Sequence, residues 1–485
     1  MGSLVRIWFK QAKRREIGAS VAFAVTLALL AGCRAPEQRA AKFAGMYEAA
    51  MAANDPWSAR IAIQRAVAYQ DSNPDYWTAL GSVQLTLGDY SGAYNAYLRA
   101  NELDRSNPRV LQALADLAVM GGHAEEARRY AQQVLLLQPS DPSPQTTLGY
   151  VALRDRSYDD ALQRATSVLA VRPGDMNATI LKARALAGTD KAGEAIALMK
   201  RYVADHPGDQ AALEALGDLS GRFGDLTGQK AAQAHQLALH PKDAALKVRY
   251  ARTLYALGER PAAHELTARM VRDGDHGGLL IDILALWLRY EPRAAALAEV
   301  RALAAHVAPA DRMRYAYFLM LAGVPAEAEA LVAPLVKLPV TAANAAPLAL
   351  LAQAQALQGR NDAALKLLDA VLAFDPGNIM ALRARTDLYL RTGRGRQAVF
   401  DAQRLVASKP RAADDRVRLA RAYRLAGQPQ LAENTYRAGI EDLRGADPLL
   451  FAGLRQYLRD TGRADEIAEV DREFVEQQRV ARAQW

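Results

Sequence analysis

The chain has 485 residues, 51% of them apolar but only 7% aromatic, and a formal net charge of +8. Its apolar share is mostly Ala and Leu, which are strong helix formers, so there is little β-branched or aromatic clustering to seed a sheet. A single cysteine, Cys33, excludes an internal disulfide and any Cys₄ or CxxC metal site.

At the start of the chain, Arg6, Lys10, Lys13, Arg14 and Arg15 precede an apolar run from Ile17 to Ala31, with Glu16 the one acid. A basic region, a short apolar run and small residues at its end form the pattern of a secretory signal. The run is shorter than the roughly 20 residues a spanning helix needs, which disfavours an uncleaved anchor. Leu30-Ala31-Gly32-Cys33 closes it and resembles the lipobox of bacterial lipoproteins. That resemblance implies a diacylglyceryl group on the Cys33 thiol, cleavage just before it, and acylation of the new amino terminus. Each buried CH₂ contributes about 0.8 kcal/mol, and two or more chains give stable anchoring. The alternative is an ordinary signal or membrane anchor with an incidental cysteine. Arg34 follows the cysteine where an aspartate favours inner-membrane retention, so the resemblance points to the outer membrane, on its periplasmic face. Residues 1–32 are thus read as a signal peptide and 33–40 as a lipidated tether. The signal segment, with five Lys/Arg and one Glu, carries +4 of the net +8, and a periplasmic address argues against nucleic acid as a partner.

Beyond the tether a period of 34 residues organises the sequence. Prolines recur at 74, 108 and 142, then at 173, 207 and 241, and again at 376 and 410. Glycines recur at 88 and 122, 224 and 258, and 359, 393 and 427. A fixed period of this size marks a repeat array. Within residues 74–107, Pro74 suits a first helical position, Gly88-Asp89 turns the chain, and Ala93, Tyr97 and Ala100 fall on one face of a second helix.

Trp77, Leu80, Gly81, Gly88, Ala93, Tyr97 and Ala100 resemble the tetratricopeptide repeat, with Gln84 departing at its aromatic slot. Residues 413–446 match again through Leu419, Ala420, Tyr423, Gly427, Ala432 and Tyr436, with Gly439 in place of the second Ala. The resemblance implies an all-α fold, a right-handed superhelical solenoid of helix-turn-helix repeats, about 12 or 13 in number. Repeats near Asn54, Arg156 and Asp190 lack the turn glycine but keep the register. Residues 271–345 fit worst, with DGDHGG at 273–278 and several prolines. They are read as irregular repeats between an N-terminal array (41–270) and a C-terminal array (346–475), with a tail at 476–485. Simple drift within one array is the alternative.

No HExxH, GxxxxGK[ST] or GxSxG motif occurs. His206 and His240 lie one period apart, each before a proline, and suggest a shared corner rather than a metal site. No catalytic residue, metal or cofactor is expected. What stands out is charge: residues 377–463 hold 17 Lys/Arg against nine Asp/Glu. By the resemblance, the concave face of the C-terminal repeats carries Arg383, Asp387, Arg391, Arg421, Arg424 and Arg459. Such a groove suits an acidic peptide or a uronate-type polysaccharide, since arginine binds carboxylates through two bonds. A solvated charged face is the plainer reading.

Taken together, these features imply a non-enzymatic, lipid-anchored scaffold that binds envelope proteins. Lipoproteins of this plan are similar to pilus and secretin assembly factors and to the scaffolds of exopolysaccharide synthesis and export.

Overall fold

The computed structural model describes residues 36–305, 311–443 and 447–483. Cys33 and the apolar run before it lie outside the described residues. Among the described residues the chain forms 26 α-helices and two short 3₁₀ turns, with no strand. The fold is all-α and built of helix-turn-helix pairs, and 26 helices give thirteen such pairs, in line with the period.

Local chemistry explains where the helices begin and end. Pro74 and Pro108 stand in the first turn of their helices, behind Asn73 and Asn107, whose side chains accept from the free backbone N–H groups. The prolines at 173, 207, 241, 376 and 410 do something else. Each follows the residue that caps a finished helix, Arg172, His206, His240, Asp375 or Lys409, where no helix can continue. The two proline sets therefore start and stop helices, and His206 and His240 do occupy the same corner.

The turn inside each pair needs a left-handed residue. Glycine supplies it at most positions, but Asn54, Arg156 and Asp190 adopt φ of 56°, 59° and 60° instead, a conformation that costs an L-residue about 1 kcal/mol. The Leu-Gly slot has a steric reason. A Cβ on Gly81 would lie 2.8 Å from the Tyr97 ring, so the small residue lets the aromatic ring sit against the first helix. Ala93 and Ala100 are buried beside that ring.

The chain divides into two compact units, up to Asp190 and from Lys191 onward. In the first, Leu111, Leu114, Ala115, Tyr130 and Val134 form the centre of one cluster. In the second, helices Leu280–Tyr290, Arg293–Ala304, Arg312–Leu321 and Pro325–Val332 have 11, 12, 10 and 8 residues, against 13 or 14 in most of the others. Larger side chains compensate for the shorter helices. Trp287 is fully buried there among Tyr255, Ile283, Tyr315 and Phe318, and its indole N–H donates to Thr267 Oγ1 at 2.8 Å. Each such side chain contributes about 1.5–3 kcal/mol on burial. No described helix is long and apolar enough to cross a membrane.

Candidate interaction surfaces

The C-terminal arginines are arranged mainly toward one another's carboxylates. Helices Ile379–Arg391 and Ala413–Leu425 begin successive repeats. Arg383 donates from Nε and Nη2 to the two oxygens of Asp415, at 2.8 and 2.7 Å. Arg418 answers in the other direction, donating from Nε to Asp387 at 2.9 Å and from Nη1 to Asp414 at 2.9 Å and Asp415 at 3.2 Å. Asp415 is fully buried, and burying a charged group is costly unless it is paired and hydrogen-bonded, as it is here. The bond to Asp415 holds the Arg383 guanidinium above its ordinary range. Burial pushes the Asp414 carboxyl up, but Arg418 and Arg383 outweigh it and hold it below the usual carboxylate range. Asp414 and Asp415 also occupy the first turn of their helix, where negative charge meets the positive end of the macrodipole.

The pattern repeats around this bracket. Arg385 donates from Nε and Nη2 to the buried Asp401 at 2.7 and 2.8 Å, and from Nη1 to Asp369 at 2.7 Å. Arg463 and Arg437 both bond Glu433, whose carboxyl is drawn below its ordinary range, chiefly by the Arg463 hydrogen bond. Arg424 pairs with Asp460, which also accepts from Gln456 at 2.7 Å.

Of the six residues expected to line the groove, Arg383, Asp387 and Arg424 are therefore held in ion pairs within the protein. Arg391, Arg421 and Arg459 are exposed and form no ion pair among the described residues. Arg421 and Arg424 both lie near the buried Tyr436 phenol: burial pushes its pKa up and these two cations pull it down. Arg418, Asp401 and Asp415, which organise the network, were not singled out from the sequence as lining this groove. For Asp415 and Arg418 the trace is a spacing of 32 or 31 residues to their partners Arg383 and Asp387, just under one period, whereas Asp401 lies 16 residues from Arg385.

A second surface lies in the first unit. A groove of about 430 Å³ is lined by Leu85, Arg109, Gln112, Asp116, Met120 and Asp141, among others. Asp116 accepts from Gln112 at 2.8 Å and from the buried Thr147 hydroxyl at 2.7 Å. Surrounding protein raises its carboxyl pKa while its side chain still reaches solvent. The groove combines the apolar Leu85 and Met120 with one cation and two carboxylates, a mixture suited to a peptide segment. Among the described residues, no cluster of His, Cys, Asp and Glu could hold a metal ion.

The tetratricopeptide repeat family matches residues 48–108 and 146–210, and a second tetratricopeptide repeat signature matches 84–148. Tetratricopeptide repeats are thus matched over residues 48–210, and proteins built of such repeats generally serve as non-catalytic scaffolds for protein–protein interaction. It is 28% identical over 392 residues to cellulose synthase operon protein C of Xanthomonas axonopodis pv. citri (strain 306). That alignment takes in 74% of this chain but 26% of the relative, so the chain spans about a quarter of that protein's length. Similar solved structures include a tetratricopeptide repeat protein from Parabacteroides merdae ATCC 43184, with 20% identity over 48% of this chain and 92% of that one and a TM-score of 0.38. Another is PilF of Pseudomonas aeruginosa, with 17% identity over 42% of this chain and 94% of that one and a TM-score of 0.33. The type IV pilus biogenesis factor PilW has 15% identity over 42% and 94%, with a TM-score of 0.35.

Proposed function

We propose that the protein is a lipid-anchored scaffold on the periplasmic face of a bacterial outer membrane, where it assembles machinery for exopolysaccharide synthesis or export. The observation that carries the choice of machine is the relative named for a cellulose synthase operon, aligned over 74% of this chain. The address rests on Leu30-Ala31-Gly32-Cys33 and the basic and apolar segments before it. The scaffold binds its partners through exposed groove surfaces such as the one around Asp116.

Crosslinked co-purification of the membrane-anchored chain, read by mass spectrometry, tests this. The expected result is a defined set of polysaccharide synthesis or export components. A set of pilus or secretin proteins would overturn the choice of machine. Metabolic palmitate labelling tests the anchor separately, with loss of label expected in Cys33→Ser.

A second reading, direct binding of an acidic polymer or peptide, is favoured by one observation: Arg391, Arg421 and Arg459 are exposed and form no ion pair among the described residues. It predicts salt-sensitive binding of a uronate polysaccharide that is lost in the triple variant Arg391→Glu, Arg421→Glu, Arg459→Glu. Arg424 is left intact, because reversing it would set a carboxylate against Asp460. Binding that survives the triple reversal sinks this reading.

A further inference from the structure

The first described repeat differs from those after it on the face it turns to solvent. Its second helix, Pro56–Tyr69, leaves Trp57 59% exposed and Ile61 53% exposed, and Met46 on the preceding helix is 49% exposed. The same slot, taken in steps of 34 residues, holds Ser91, Glu125, Asp159, Gly193 and Thr227 where this repeat has Trp57. The slot of Ile61 holds Asn95, Arg129, Gln163, Ala197 and Ala231. The repeats that follow fill both positions with polar or small residues. An end repeat normally carries a polar outer face to keep the array soluble, so an apolar stripe here implies that something covers it.

The charges beside the stripe indicate what. Arg39, Lys42, Arg60 and Arg65 form no ion pair among the described residues. Three of them lie over aromatic rings instead: Arg60 over Trp57 at 4.5 Å, Arg65 over Phe43 at 5.5 Å and Arg39 over Tyr69 at 5.8 Å. Exposed Trp and aliphatic side chains next to unpaired cations are the chemistry of the headgroup layer of an anionic bilayer. The chain also delivers this repeat to such a surface. Residue 36, the first described, is already helical; it lies three residues past Cys33, and three residues reach at most about 11 Å.

We infer that, once Cys33 is acylated, the first repeat lies flat on the bilayer, with Trp57 and Ile61 entering the headgroup layer and Arg39, Lys42, Arg60 and Arg65 meeting lipid phosphates. The inference rests on the lipid anchor proposed above. The orientation is fixed by the helix pair. Phe43 stacks on Tyr69 at 5.7 Å, so the Tyr69 end of helix Pro56–Tyr69 lies beside the tether. Trp57 is about 18 Å further along that helix. A pair standing on end would bring Tyr69 to the membrane and leave Trp57 in water.

The test reconstitutes the full chain into phosphatidylethanolamine–phosphatidylglycerol vesicles, with plain or brominated acyl chains. The difference in fluorescence between the native chain and Trp57→Phe isolates Trp57. The expected result is that most of this difference signal is lost in brominated vesicles, that acrylamide quenches it weakly, and that Ile61→Glu restores it. A Trp57 signal untouched by brominated lipid overturns the inference. If acrylamide then quenches it, the repeat stands away from the bilayer; if acrylamide does not, a protein segment covers the stripe. Palmitate incorporation is read on the same preparation. Labelled Cys33 with unquenched Trp57 overturns the docking while leaving the anchor standing, and unlabelled Cys33 overturns both.

Discussion

The C-terminal repeats and the first repeat both carry clustered cations, and the two clusters meet different fates. In the C-terminal repeats, Arg383, Arg385, Arg418 and Arg463 each find a carboxylate on a neighbouring helix or repeat, some of them fully buried. In the first repeat, Arg39, Lys42, Arg60 and Arg65 find none among the described residues, and three of them rest on aromatic rings. A local surplus of positive charge therefore does not define a basic surface. What matters is whether an acid lies within reach on the next helix. The C-terminal cations hold repeats together, with Arg391, Arg421 and Arg459 left over, whereas the first repeat turns its cations outward.

This contrast can be broken most directly at Asp415. Asp415→Asn leaves Arg383 and Arg418 short of a buried partner and should cost about 3 kcal/mol, read as faster amide exchange in helices Ile379–Arg391 and Ala413–Leu425. A loss below about 1 kcal/mol would show that the bracket contributes little to repeat stacking. Acid should act in the same place. Glu433 and Asp414 are held below their ordinary range, so their contribution is complete above the unfolded carboxylate values of about 4 and is lost as pH falls through the lower folded values. Amide exchange in the C-terminal helices should therefore quicken below about pH 4, and Glu433→Gln should flatten that dependence. Asp387→Asn is expected to cost less, about 0.5–1 kcal/mol, because this carboxylate is partly exposed and Arg418 keeps Asp414 and Asp415. The smallest effects belong to the first repeat. Arg65→Gln should cost no more than about 0.5–1 kcal/mol, the worth of its contact with Phe43, and Lys42→Gln should leave exchange in helix Pro56–Tyr69 unchanged. A larger loss at Lys42 would mean that this cation, too, has a partner within the fold.

Much of the fold was legible in the sequence because its signals are local. Pro74 and Pro108 announce helix starts, Gly88 and Gly122 announce turns, and Ala93, Tyr97 and Ala100 announce a packed face within a few residues of one another. The positions that lacked a turn glycine, Asn54, Arg156 and Asp190, kept the same left-handed backbone because the repeat packing requires it there. The interaction surface was less legible. The repeat pattern assigns Arg383 and Asp387 to one face, but each is bound to a residue one repeat on, a pairing that only a distance reveals. The groove around Asp116 left no motif, because its polar residues come from along one helix, Pro108–Met120, and from Asp141 before the next repeat, and its walls from Leu85 and Met120.

By itself, then, the sequence determined the helical content, the 34-residue register and the placement of turns, because each depends on the torsional and steric preferences of neighbouring residues. The tertiary structure decided which charges are spent inside the protein and which face outward. That choice depends on how far one helix is offset from the helix a repeat away. For Arg383–Asp415 and Asp387–Arg418 the offset brings together residues 32 and 31 apart rather than 34, and it is set by how Ala, Leu and aromatic side chains interlock between helices.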